Sequence, residues 1–88
     1  MKEINLASNY VLRLRIYENL NKWGVQSNAE IHLGNHLAHV LGYRSLSELV
    51  HDMNCDHPPT LRIIHMLAGP HGRAIYKMLL VQRGMEGI

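Results

Sequence analysis

The chain has 88 residues, 47% of them apolar and 18% charged, which fits one domain with a single modest core and excludes a disordered chain. The net charge of +2 is too small to advertise nucleic-acid binding by itself. The lone Cys55 excludes an internal disulfide, and with neither a signal-peptide pattern nor an apolar run long enough to span a bilayer, the protein is expected to be cytoplasmic with no membrane partner.

The first predicted element is a helix from Leu6 to Trp23, which lacks Gly and Pro and is closed by Gly24. Its polar residues Ser8, Arg15, Glu18, Asn19 and Lys22 share one side. The apolar arc that remains is so wide that more than one neighbour must cover it. Ser27 followed by Glu30 forms a capping-box pattern that predicts a second helix through Leu41, with Gly34 as an internal weak point. The pattern recurs at Ser45 and Glu48, predicting a third helix to Asn54 that Pro58-Pro59 breaks. A fourth helix is expected from Thr60 to Ala68, ended by Gly69-Pro70, and a fifth from His71 to Arg83. The fold expected is therefore all-α, a compact single-domain bundle of four to five helices over residues 1–88. Leu14, Leu37, Leu41, Leu49, Ile64 and Leu79 are its expected core.

Residues 37–53 carry the most specific signal, because they read as two helices hinged at Gly42. Ala38 is small enough for a close helix crossing, and Gly42 can take the positive φ that the turn demands. The spacing resembles one unit of the AraC-type helix-turn-helix, whose pattern runs small residue, Gly-aromatic, Ser, Ser, aromatic. Here those positions read Ala38, Gly42-Tyr43, Ser45, Ser47 and Leu49, with His51 and Asn54 where that family places basic residues. The resemblance implies a helix-turn-helix around residues 35–54 with DNA as partner. The residues expected to touch DNA are Arg44, Ser45, Ser47 and His51 at the groove, with Arg73 and Lys77 on phosphates, joined by Arg62 and Arg83. Glu48 and Asp52 oppose this by charge. The bland alternative is a tight helix-helix corner of no particular function.

Charge is unevenly spread, with one basic residue against three acidic ones in residues 31–60, and four against one in residues 61–88. His32, His36 and His39 fall within about 60° on a helical wheel and are expected on a shared solvent face. Histidines four apart can chelate a metal, and Cys55 with His57 could complete a set, but the spacing is not that of a structural zinc site; no metal or other cofactor is expected. A pH-sensitive partner surface is the other use for such a face. No nucleophile and base stand at a working spacing, so an enzyme is not expected. Two functions remain. One is a small DNA-binding transcriptional regulator, acting as a homodimer through Tyr10, Tyr17, Trp23 and Tyr76. The other is a helical interaction module that uses the same aromatic residues to inhibit or redirect a larger protein assembly.

Overall fold

The computed structural model describes the backbone of residues 2–27 and 29–85. Met1, Asn28 and residues 86–88 lie outside it, as do the side chains of residues 2–8, so the expectations for Leu6 and Ser8 fall outside the described residues. Five helices form, α1 (Lys2–Lys22), α2 (Glu30–Val40), α3 (Leu46–Asn54), α4 (Pro58–Ala68) and α5 (Gly72–Gln82), with no strand among the described residues. No helix of the structure is long and apolar enough to cross a membrane.

The long helix α1 packs against α4, α2 and α3 at once, which is what its wide apolar arc requires. Ile16 and Leu20 on α1, Leu37 and Val40 on α2, Leu49 and Met53 on α3, and Ile64 and Leu67 on α4 are fully buried. Leu79 joins the core from α5, whereas Leu14 and Leu41, expected inside, are half-buried at its margin. Two asparagines on α1 donate to carbonyls in the last turns of other helices. Asn9 Nδ2 donates to the Met53 carbonyl at 2.9 Å, and Asn19 Nδ2 donates to that of Leu67 at 3.2 Å.

Helix ends account for most departures from the expected boundaries. Ser27 does not cap α2: its hydroxyl accepts from the Ala29 amide at 3.3 Å, and Ala29 is the N-cap, without a side-chain bond. Ser45 does cap α3, accepting from the Glu48 amide at 3.3 Å. Pro58 and Pro59 open α4 instead of merely ending α3, because first-turn residues need no N–H for the helix ladder. Four helices close with the paired bonds of a Schellman motif, for which α2 is representative: Tyr43 N–H reaches the Ala38 carbonyl at 2.9 Å and Gly42 N–H that of His39 at 3.0 Å. Gly42 supplies the left-handed residue there at φ 91°; at the end of α3 that place is taken by Asp56, at φ 54°.

Gly34 is explained by packing. A methyl group there would stand 2.6 Å from Leu46 Cδ2 and 2.9 Å from Tyr17 Oη, so its absence lets α1 and α3 approach α2 closely.

Candidate nucleic-acid interface

The connection from Leu41 to Ser45 joins α2 to α3, and three sets of bonds hold it. The Schellman pair ends α2, the Ser45 hydroxyl begins α3, and the Tyr43 ring ties the turn to the helices behind it. Tyr43 Oη donates to Asp52 Oδ2 at 2.6 Å and also bonds the buried hydroxyl of Thr60 at the start of α4. Burial and the bond to Asp52 raise the Tyr43 pKa above the usual phenol value, so the hydroxyl stays protonated and donates. Arg83, just past α5, completes the corner. Its Nε donates to the Val40 carbonyl at 3.3 Å, and its guanidinium lies where a side chain on Gly42 would stand. A cation against the last carbonyls of α2 is also favoured by the helix dipole.

Helix α3 is two-sided. Leu49 and Met53 are fully buried, while Ser47, Glu48, His51 and Asn54 are exposed, with Arg44 exposed just before the helix. Tyr43, Ser47, Glu48, His51 and Asp52 line a shallow hollow of about 280 Å³ on this outer side. The two carboxylates expected to oppose DNA are unequal, because Asp52 is half-buried and bonded to Tyr43 whereas Glu48 is exposed.

The structure brings part of the expected site together. Arg44, Ser47 and His51 share the corner and the exposed side of α3, while Ser45 is half-buried with its hydroxyl engaged as the cap and 3.1 Å from that of Ser47. Arg73 and Lys77 are exposed on α5, which packs against α4 and α2. At 1.5 Å per residue they stand about 15 Å and about 9 Å back along the helix from Arg83. The basic groups at the corner are therefore Arg44 and Arg83. Arg83 was legible only as one of several C-terminal cations, since its tie to Val40 spans 43 positions.

The aromatic residues expected at an interface are mostly elsewhere. Tyr17 and Tyr76 are 4% and 6% exposed, so their rings are packed mostly into the core, although Tyr17 also lines a groove between α1 and α2. Trp23 is half-buried with its ring 5.4 Å from that of Tyr76. Of the four, Tyr10 is exposed, bonded to Glu30 at 3.3 Å with the Arg13 guanidinium over its ring. The expected histidine face also divides. His32 and His39 are exposed, but His36 turns toward α5, its Nε2 2.8 Å from Tyr76 Oη. Among the described residues no group of three or more His, Cys, Asp or Glu could hold a metal ion.

Burial, and secondarily the neighbouring His39, lowers the His36 pKa below the ordinary 6.5. A folded-state pKa below the unfolded one means that the fold favours neutral His36. This contribution is fully present above the unfolded value and is lost as pH falls from there through the folded value. Thermal unfolding of the wild type and of His36→Gln between about pH 8 and about pH 5 should therefore show a smaller acid loss for the variant. Parallel curves would contradict the assignment.

Compared with known proteins, the chain matches no family profile, no curated protein and no solved structure.

Proposed function

We propose that this chain is a small DNA-binding regulator that presents the outer side of α3 to the major groove. The observation that carries the reading is the two-sidedness of α3. Its buried residues Leu49 and Met53 fix the helix, while Arg44 just before it and Ser47 and Glu48 in its first turn stand exposed at the end that a helix-turn-helix directs at base edges, with His51 exposed farther along. The engagement of half-buried Asp52 by Tyr43 supports it by leaving Glu48 as the exposed carboxylate of the pair. Glu48 can accept from a cytosine amino group, and Arg44 can donate to a guanine edge. Arg83, and farther along α5 Lys77 and Arg73, supply cations for the backbone.

Fluorescence anisotropy against a pool of random duplexes at low salt tests the reading. Binding is expected at micromolar protein. Arg44→Ala should cost about 1–3 kcal/mol on the preferred sequence, Ser47→Ala should alter the preference, and Lys77→Ala should weaken all sequences alike with a salt slope lower by about 1. Absence of binding would sink the DNA reading. The interaction-module reading would then lead, supported by Met78 and Val81, exposed at 57% and 54% on α5.

A further inference from the structure

Two faces away from α3 carry opposite charges beside apolar residues. On α5, Arg73 and Lys77 form a basic edge, and Val81, Ala74 and Met78 follow it around the helix at 100° steps as a continuous exposed apolar stripe. No Asp or Glu occurs from His57 to Met85, so this edge has no acidic residue nearby in sequence. On α1 and α2, a groove of about 360 Å³ is lined by Leu14, Tyr17 and Leu33 together with the exposed Glu18 and Glu30. Glu30 accepts from Tyr10 and Glu18 makes no side-chain bond among the described residues, while Arg13 bonds the Tyr17 hydroxyl. Ile31, beside Glu30, adds an apolar residue that is 61% exposed.

We propose that the α5 outer face of one copy of this chain seats in the α1–α2 groove of a second copy. Carboxylates beside apolar residues suit an occupant with an apolar stripe and a cationic edge, and the chain itself carries one. Pairing α5 with α5 is disfavoured, because a self-matched contact brings the Arg73 and Lys77 edges of both copies together, whereas the groove sets them against Glu18 and Glu30. Met78 suits the contact, since an unbranched thioether fills an irregular groove. Two different patches meeting make a head-to-tail contact, which closes into a ring or extends as a chain of copies. An 11-residue helix is about 16 Å long, so the buried area falls below the roughly 800 Å² per partner of a standard interface and the association belongs to the weak, transient class. This inference shares Arg73 and Lys77 with the DNA reading, but its groove residues Glu18 and Glu30 lie outside that reading, so variants of the groove tell the two apart.

Sedimentation velocity across the micromolar to millimolar range tests it with charge reversals at two exposed positions. The wild type should associate with increasing concentration. Lys77→Glu and Glu18→Lys should each weaken that association about tenfold or more while leaving the helical circular dichroism unchanged. An equimolar mixture of the two variants should associate again, because the intact α5 of the Glu18→Lys copy meets the intact groove of the Lys77→Glu copy, and the two reversed patches also attract. A wild type that remains monomeric at about 1 mM, single variants that associate like the wild type, or a mixture that fails to recover would each overturn the proposal. DNA binding measured on Glu18→Lys keeps the two readings separate.

Discussion

Leu49→Ala is expected to remove about 2–5 kcal/mol of stability and to lower the melting temperature by at least about 10 °C. Leu49 is fully buried on α3, a helix of only nine residues whose other buried residue is Met53, so neighbouring side chains can close the resulting cavity only in part. A domain of 88 residues has a total stability of about 4–13 kcal/mol, so the loss is a large fraction of the whole. Asn54→Ala, an exposed change on the same helix, should stay within about 0.5 kcal/mol. Thermal unfolding followed by circular dichroism measures both. Equal effects would mean that α3 is not anchored as described.

The second large effect is expected at Gly72, which opens α5. A methyl group there would fall on the backbone carbonyl of Leu67 and stand 2.9 Å from the Trp23 ring. Since a backbone carbonyl cannot turn aside as a side-chain end can, Gly72→Ala should cost about 3 kcal/mol, the upper end for overpacking. Gly34→Ala should cost less, because its added methyl meets the flexible ends of Leu46 and Tyr17 and gains helix propensity. Trp23, the single tryptophan, gives a direct readout: its emission should shift in the Gly72 variant and hold in the Gly34 variant. The reverse order of stabilities would contradict the α4–α5 packing.

What the sequence reveals depends on how local each signal is. The corner is legible because Gly42, Ser45 and Glu48 lie within a few positions of one another: Gly42 takes the expected positive φ and the Ser45 hydroxyl accepts from the Glu48 amide. The breadth of the apolar arc on α1 likewise announces several neighbours, and three are found. Ser27 and Glu30 carry the same letters as Ser45 and Glu48, yet Ser27 turns its hydroxyl to Ala29, so the pattern alone does not decide where a cap forms. Tyr17 and Tyr76 look like surface anchors, but each is buried with its hydroxyl partnered, by Arg13 and His36 respectively. Neither the α5 partner of His36 nor the hold of Tyr43 on Asp52 and Thr60 follows from periodicity, since both depend on where separate helices pack. Within the candidate site, the exposed side of α3 could be read from the sequence. The unequal roles of its carboxylates and the place of Arg83 could not.

The proposed contact of the outer side of α3 with DNA is best probed by amide chemical-shift mapping on addition of a binding duplex. Perturbations are expected to centre on residues 44–51, with smaller responses at Arg83, Lys77 and Arg73 and little change along the α1–α2 groove. Shifts confined to α5, or no shifts at protein and duplex concentrations well above those of the anisotropy titration, would contradict it.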